Sequence, residues 1–412
     1  MERLYWNNDW KFAETWEEAM KEAVYPENEM EDVRLPHTCK ELPYHYFDEH
    51  AYQMLCGYRR HFMAPEAWQG KSVELTFEGV AHDAVVYVNG TEVKAHHCGY
   101  TAFSVELAKY LKYGEDNVLA VRVDSRENLN IPPFGYAIDY MTFGGMYREV
   151  YVQVRNKTHL ADVFVKPQIH PLQVTTEITV QNISDGITLQ QEIRKKGEGA
   201  YSPLGQKPVK QTNVQTVFPV QEICLWEPEN PHLYEIRTSL WKNGEMIDAR
   251  VDITGFREAG FRKDGFYLNG KKLRLRGLNR HQSYPYVGYA APASMQIFDA
   301  DILKKELGVN AVRTSHYPQS QDFIRRCDEI GLLVFTEFPG WQHIGDEEWK
   351  RQAVQNLKEM IVQYRNHPSI ILWGVRINES QDDDVFYGET NRVAHELDDC
   401  LLYTSPSPRD CS

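Results

Sequence analysis

Hydrophobic and polar residues alternate with a period of two along most of the first 257 residues. In the first 156 residues the clearest segments are KSVELTFEGV, DAVVYVNG and NVLAVRVD. This alternation predicts half-buried β-strands, and Asn89-Gly90 is a two-residue hairpin signal. The pattern continues over the next hundred residues in HLADVFVKPQI, TTEITVQNI and YEIRTSLWKNG. We therefore expect a jelly-roll sandwich over residues 1–156 and an immunoglobulin-like β-sandwich over residues 157–257.

The pattern changes after residue 257, where predicted strands alternate with amphipathic helices. The four predicted strands lie in LRLRGLNRH, NAVRTSHYP, LLVFTEFPG and SIILWGVRINES. Each is followed by a helical pattern in which apolar residues recur every three or four positions. Short loops between such β-α units indicate a parallel sheet covered on both faces. We expect the first half of a TIM (β/α)8 barrel over residues 258–399.

The alternation of strands and helices stops at residue 400. The last segment, CLLYTSPSPRDCS, has a Ser-Pro repeat and shows neither a further helix nor a fifth strand. A half barrel would leave open strand edges. We therefore expect residues 400–412 to be a non-native tail on a chain that was cut short. An ordinary disordered C-terminus is the alternative.

Composition and charge exclude several classes of partner. The 45 Lys and Arg against 59 Asp and Glu give a net charge of −14, with no basic block, which argues against nucleic acid and anionic membranes as partners. No segment has the pattern of a membrane span or a signal peptide. The seven cysteines are scattered and odd in number, as expected for free thiols in the cytoplasm. HHCG, residues 96–99, lacks a second ligand pair at metal-binding spacing, so we predict no metal site.

Polar side chains cluster where the four predicted parallel strands end. The carboxyl ends of such strands face the mouth of a barrel, where active sites lie. Any one of these residues could simply be solvated, but four strands ending in His, Glu, Asn or Arg indicate a site. In order along the chain they are Asn279, Arg280, His281, Arg313, Ser315, His316, Tyr317, Glu337, Trp341, His343, Asn378 and Glu379.

These groups suit glycoside hydrolysis, in which carboxyl groups protonate the leaving oxygen and attack or stabilise the anomeric carbon. Glu379 beside Asn378 fits the acid, since its neighbour can bind a sugar hydroxyl. Glu337 is the other acid at a strand end. A retaining pair must lie about 5 Å apart across the mouth, which disfavours Glu337 as the nucleophile.

Five segments resemble successive signatures of glycoside hydrolase family 2, which includes β-galactosidases, β-glucuronidases and β-mannosidases. They are FEGVAHDAVVYVNGTEV, GGMYREVYVQV, RGLNRHQ, AVRTSHYPQS and NHPSIILWGVRINES. The resemblance spans about residues 57–399, and the three expected domains follow the family's order. It implies a first domain that binds sugar, and cleavage of terminal β-linked sugars by a retaining double displacement, with β-D-galactosides as the expected substrates.

The resemblance also assigns roles to individual residues. It makes Glu379 the general acid/base and Asn378 the asparagine that precedes it. It makes His281 and His316 sugar-binding histidines, and Asp139 an aspartate that the first domain extends into the pocket. We expect the substrate-binding residues to be Asp139, His281, Arg313, His316, Glu337 and Asn378.

The sequence departs from the family in two respects. The family's nucleophile comes from a seventh strand, so it is missing here, and we expect the fragment to be inactive and poorly folded beyond residue 257. Trp341 stands where metal-dependent relatives have a glutamate, although His343 matches their histidine, so no metal or other cofactor is predicted. A β-glucuronidase and a non-catalytic carbohydrate-binding protein are the alternatives. The cleaved sugar stays open, and the full-length protein could be a homo-oligomer.

Overall fold

The computed structural model describes residues 3–45, 48–135, 138–399 and 402–403, the last pair by backbone alone. It contains two β-sandwiches followed by a parallel sheet with helices, which confirms the predicted fold class. No helix in these ranges is both long and apolar enough to cross a membrane.

The first domain is a sandwich of a six-stranded and a four-stranded antiparallel sheet. The strands are β1 (Leu4–Tyr5), β2 (Trp10–Ala13), β3 (Glu31–Val33), β4 (Leu55–Met63), β5 (Ser72–Phe77), β6 (Asp83–Val88), β7 (Thr91–His96), β8 (Phe103–Glu106), β9 (Asp116–Asp124) and β10 (Val150–Arg155). The six-stranded sheet has the order β3-β2-β4-β9-β6-β7 and the other β1-β10-β5-β8. One core fills the space between them, with Trp10, Tyr58 and Leu75 fully buried. The predicted hairpin at Asn89-Gly90 is confirmed, because both residues have positive φ between two paired strands.

The second domain is a smaller sandwich with one sheet of three strands and one of four, as in immunoglobulin-like domains. The strands are β11 (His159–Ile169), β12 (Leu172–Gln181), β13 (Ile187–Lys195), β14 (Ser202–Pro208), β15 (Asn213–Pro219), β16 (Trp226–Glu227), β17 (Asn230–Pro231), β18 (Tyr234–Lys242) and β19 (Glu245–Thr254). The sheets have the orders β11-β12-β15 and β14-β13-β18-β19, and β16 pairs with β17 in a short ribbon.

A small antiparallel sheet leads into the third domain. It consists of β20 (Ala259–Arg262), β21 (Gly265–Leu268) and β22 (Lys271–Lys272). Phe266 and Leu268 pack with Trp226 of the second domain against Leu333 and Ile371, which lie at the beginnings of two parallel strands. This apolar cluster therefore closes the amino end of the parallel sheet.

The third domain is a parallel sheet in which strands follow one another in chain order. A second large core lies between this sheet and the helices. A π-helical turn, Ile302–Glu306, continues the first helix. The strands are β23 (Gly277–Arg280), β24 (Ala311–Thr314), β25 (Leu333–Glu337), β26 (Ile370–Gly374) and β27 (Leu402–Tyr403), and the helices are α1 (Ala293–Asp301), α2 (Gln321–Ile330), α3 (Glu347–Tyr364) and α4 (Asp384–Leu397).

The fifth strand, β27, corrects the prediction that the alternation ends with four units. It pairs in parallel with β26, with Leu372 opposite Leu402. Two residues are too few to show a hydrophobic period in the sequence. The chain nevertheless returns to the sheet after α4, as a β-α-β crossover requires. The rest of the predicted tail, residues 400–401 and 404–412, lies outside the described residues.

Helix α3 and the two residues after it connect the third domain to both sandwiches. Glu359 accepts hydrogen bonds from His96 Nε2 at 3.0 Å and Thr101 Oγ1 at 2.6 Å in the first domain. Asn366 donates to the Val163 carbonyl oxygen at 2.9 Å in the second domain, and Arg365 pairs with Asp162. The position of the helix is thus fixed by contacts on two sides.

Candidate active site

Glu379 lies beyond the carboxyl end of β26, on the wall of an open cleft of about 630 Å³. Val375 and Ile377 between strand and acid are buried, whereas Glu379 itself is exposed. The segment after β26 therefore runs from the core to the surface and places an exposed carboxylate there, as expected from the sequence. The cleft is lined by Gln342, His343, Ile344, Gly345, Lys350, Glu379, Gln381, Asp382 and Asp383.

The backbone of Glu379 is in the left-handed region, with φ of 54°. This conformation is uncommon for a residue other than glycine and is found disproportionately at functional sites. Gln342, after β25, is also left-handed, with φ of 50°. Its Nε2 donates to Glu379 Oε2 at 3.0 Å, and its backbone N–H donates to the Asn378 carbonyl at 2.9 Å. Sequence reasoning missed Gln342, because nothing in the local pattern signals this contact.

Glu337, the last residue of β25, is a buried carboxylate with two cationic or polar neighbours. Arg313 donates to its Oε2 from Nε at 3.0 Å and from a terminal nitrogen at 2.8 Å. His316 Nδ1 lies 2.5 Å from Oε1, so the imidazole donates there. With both oxygens engaged, Glu337 serves as an anchor for Arg313 and His316. A direct contact between Glu337 and substrate stays a prediction.

Arg313 also connects this anchor to Asn378. Its terminal nitrogen donates to Asn378 Oδ1 at 3.0 Å. Because the amide oxygen is engaged, the Nδ2 group of Asn378 is the donor that can bind a sugar hydroxyl. Arg313 and Glu337 belong to the neighbouring strands β24 and β25, and Asn378 lies in the segment after β26, so the hydrogen bonds fix that segment relative to the two strands.

The two predicted sugar-binding histidines lie close together. The His281 and His316 rings are 5.7 Å apart, and His316 also packs on Trp341 with ring centroids 4.9 Å apart. His281 Nδ1 is 3.2 Å from the hydroxyl of Tyr317. Partial burial and, secondly, the neighbouring His316 lower the pKa of His281. The neutral imidazole is therefore favoured near neutral pH, where it can both donate and accept hydrogen bonds.

The first domain reaches this cluster with the segment between β9 and β10. The Tyr140 ring lies 5.2 Å from that of His281, and Asp139 is exposed beside it. The negative charge of Asp139 acts on His281, against the lowering of its pKa. Arg148 fixes the segment by donating to Gln282 Oε1 at 3.1 Å. The first domain thus brings Asp139 near His281, and the predicted contact of Asp139 with a sugar hydroxyl stays a prediction.

Tyr140 was missed in the sequence, and Arg280 was interpreted wrongly. The Tyr140 hydroxyl is buried with no hydrogen-bond partner among the described residues. Arg280, expected at the rim, is buried and donates to Asp299 at 2.6 Å and Gln296 at 2.8 Å, both in α1. Arg280 therefore holds α1 in place, because its side chain lies on the face of the sheet that packs against the helices.

The described residues contain no group of three or more His, Cys, Asp or Glu side chains that could hold a metal ion. Trp341, which the family resemblance aligns with a metal-binding glutamate, is mostly buried against His316. His343 packs instead against Trp349, with ring centroids 5.7 Å apart. Partial burial lowers the pKa of His343.

Comparison with family models assigns three consecutive matches. Residues 32–155 match the sugar binding domain of glycosyl hydrolases family 2, and residues 158–257 match the model described as glycosyl hydrolases family 2. Residues 260–403 match the family's TIM barrel domain.

Individual proteins resemble the chain over nearly its whole length. It is 48% identical over 403 residues to a β-galactosidase of Thermoanaerobacter pseudethanolicus, a match that covers 96% of this chain and 54% of that protein. A β-galactosidase of Thermoanaerobacterium thermosulfurigenes is 46% identical over 406 residues, 95% of this chain and 56% of that one. A solved structure of Bacteroides uniformis β-glucuronidase 2, covalently bound to cyclophellitol-6-carboxylate aziridine, matches with a TM-score of 0.88 and 28% identity, covering 98% and 52% of the two chains. The chain thus spans about half the length of these relatives.

Proposed function

This chain belongs to family 2 of the glycosyl hydrolases, and we propose that the whole protein is a retaining β-glycosidase with Glu379 as general acid and base. The observation that carries the proposal is the placement of Glu379. It is exposed in the cleft at the end of β26, while the adjacent Asn378 is fixed to Glu337 through Arg313. An exposed carboxyl group next to a fixed hydrogen-bonding side chain suits proton transfer to a bound glycoside.

In the first step Glu379 donates its proton to the glycosidic oxygen as the bond to the anomeric carbon breaks. A second carboxylate attacks that carbon and forms the glycosyl-enzyme. The family resemblance puts this nucleophile on a seventh strand, beyond the strands described, and Glu337 is engaged elsewhere. In the second step ionised Glu379 takes a proton from water, whose oxygen displaces the nucleophile with net retention.

The remaining predicted residues would hold the sugar. Asp139 can accept hydrogen bonds from two hydroxyl groups, and neutral His281 can donate or accept one. His316 is oriented by Glu337 through Nδ1, and its Nε2, which has no hydrogen-bond partner among the described residues, would bind another hydroxyl group. These contacts accelerate the reaction to the extent that they strengthen as the sugar ring flattens in the transition state.

The substrate we favour is a terminal β-D-galactoside. The relatives at 48% and 46% identity carry the name β-galactosidase. The charges of the cleft wall do not decide between the two sugars, because Asp383 pairs with Lys350 at 2.8 Å and Asp382 with Arg376 at 2.6 Å. A β-glucuronidase is the second candidate, because the B. uniformis enzyme shares the fold over 98% of this chain.

Replacement of Glu379 by alanine in the whole protein tests its role. We expect kcat/KM for phenyl β-galactoside to fall by about 10²- to 10⁴-fold, the usual contribution of a general acid. Dinitrophenyl β-galactoside, whose leaving group needs no proton, should retain its glycosylation rate, and azide should restore turnover by forming β-galactosyl azide. Unchanged turnover of the phenyl glycoside would show that Glu379 has another role.

A panel of nitrophenyl β-glycosides tests the sugar. We expect the β-galactoside to have a higher kcat/KM than the β-glucuronide. The reverse order would identify a β-glucuronidase. Binding of these sugars without hydrolysis by the whole protein would instead support a carbohydrate-binding protein.

A further inference from the structure

We propose that Gln342 is a positioning residue for Glu379: its side-chain amide holds one carboxylate oxygen and leaves the other for proton transfer. This inference rests on the proposed role of Glu379 as general acid and base. Gln342 belongs to the loop after β25, whereas Glu379 belongs to the loop after β26. The two loops meet at the cleft.

The backbone around Gln342 forms a tight turn. The His343 N–H donates to the Trp341 carbonyl at 2.5 Å, and φ of Gln342 is 50°. A three-residue turn with positive φ at its centre is rare and strained. Such a conformation persists only where the surroundings impose it, and its cost is commonly offset by a function of the residue so placed.

Residues on both sides hold the turn in place. Trp341 packs on His316, which Glu337 fixes. His343 packs on Trp349 and against the backbone of Gly135 in the first domain, where an added Cβ would lie 2.2 Å from His343 Cβ. The side chain of Gln342 therefore projects from a fixed base toward the cleft.

Gln342 makes contact with both residues of the Asn378-Glu379 pair. Its backbone N–H binds the Asn378 carbonyl at 2.9 Å, and its Nε2 binds Glu379 Oε2 at 3.0 Å. No described residue hydrogen-bonds to Glu379 Oε1. An exposed glutamate otherwise samples several rotamers, so this single donor selects the orientation in which Oε1 faces the cleft. Oε1 is then the oxygen that carries the proton.

The test replaces Gln342 by methionine, which preserves side-chain length but removes the donor, in the whole protein. The matched control is Gln355→Met, since Gln355 is exposed on α3, outside this cleft, and its Nε2 also donates to a glutamate, Glu359 Oε1, at 3.0 Å. For Gln342→Met we expect kcat/KM for phenyl β-galactoside to fall about tenfold, the value of one hydrogen bond to a charged group. Dinitrophenyl β-galactoside should change less than about twofold, and the control should leave both substrates within that range.

The difference in the loss of kcat/KM between the two substrates distinguishes a positioning role of Gln342 from a purely structural one. An equal loss for both would mean that Gln342 merely supports the loop, and no loss for either would mean that its contact with Glu379 is without effect. Both results overturn the proposal. The Glu379→Ala protein is assayed in parallel: if it shows no dependence on the leaving group, the acid assignment fails, and that failure is distinct from a loss specific to Gln342.

Discussion

The pair formed by Arg313 and Glu337 shows how one buried charge can organise a site. The Glu337 side chain is 3% exposed and that of Arg313 27%. A carboxylate so buried must be paired to be tolerated. The pairing fixes Arg313, and through it the amide of Asn378.

Replacement of Arg313 by methionine should therefore destabilise the third domain. We expect the free energy of unfolding to fall by about 3 kcal/mol, because Glu337 would keep only His316 as a partner. Urea denaturation followed by tryptophan fluorescence measures this. Arg392→Met is the control, since Arg392 and its partner Glu396 are about 60% exposed and such pairs contribute less than about 1 kcal/mol. Equal losses for the two variants would contradict the argument.

Residue types and strand ends suffice to predict which side chains gather at the mouth, but not how they pair. Arg280 and Arg313 both lie at or near the end of a strand, yet Arg280 binds α1 and Arg313 binds Glu337. The difference depends on which face of the sheet each side chain leaves. A shift of one residue along a strand moves a side chain to the other face of the sheet. Strand boundaries predicted from the sequence are not accurate to one residue, so they do not determine that face.

At the scale of elements, the segment between β9 and β10 is the part of the first domain that reaches the site, and a buried histidine supports it. His82 Nε2 donates to the Thr142 carbonyl at 2.5 Å, and its ring packs against Phe134 with centroids 4.9 Å apart. Full burial lowers the pKa of His82 from 6.5 to about 4. The folded protein thus requires the neutral imidazole, whereas the unfolded chain protonates it near pH 6.5.

The contribution of His82 should therefore be present above pH 6.5 and lost as pH falls toward 4. Between pH 7 and pH 5 we expect wild-type protein to lose about 2 kcal/mol more stability than His82→Gln, which keeps a donor but does not titrate. Comparison of the two proteins at each pH is essential, because burial raises the pKa of Glu78 to about 7, which acts in the opposite direction. Parallel pH dependences would exclude this role for His82.

The contact between Gly135 and His343 joins that segment to the turn that bears Gln342. An added Cβ on Gly135 would lie 2.2 Å from His343 Cβ, so Gly135→Ala should displace the turn. We expect kcat/KM for phenyl β-galactoside to fall about tenfold in the whole protein, as for small displacements at other catalytic sites. Gly388→Ala, in α4 with no atom within 4 Å, should instead raise stability by about 0.5–1 kcal/mol and leave kcat/KM unchanged. Unchanged turnover in Gly135→Ala would show that the contact is not needed.

The hydrophobic period by itself predicts elements such as β26 and α3, because each carries a clear apolar pattern. It fails for β27, which has two residues, and for the turn at Gln342, whose positive φ is typical of glycine or asparagine. Both features depend on contacts with elements distant in sequence.

At the scale of the whole molecule, the order of three domains was predicted from changes in hydrophobic period, and the fold class is confirmed. The contacts between domains were beyond that reasoning, because they depend on single polar side chains such as Glu359 and Asn366. Cytoplasmic location and assembly into a homo-oligomer stay predictions.

The 412-residue chain by itself should not hydrolyse nitrophenyl β-glycosides. Among its described residues Glu337 is the other acid at a strand end, and it is buried in an ion pair. Limited proteolysis should also remove residues beyond 257 before it cuts the sandwiches, because β23 and β27 are edge strands of the described sheet. Clear turnover by the purified chain would defeat the first expectation, and an even digestion pattern the second.

The position of α3 has a consequence for synthesis on the ribosome. Thr101, which contacts Glu359, emerges 258 residues before its partner, and Val163, which contacts Asn366, emerges 203 residues before its partner. At ordinary elongation rates this delay is on the order of ten to fifty seconds. The surfaces of both sandwiches that contact α3 and Asn366 therefore stay uncovered during this interval, and a pause in translation before α3 would lengthen it.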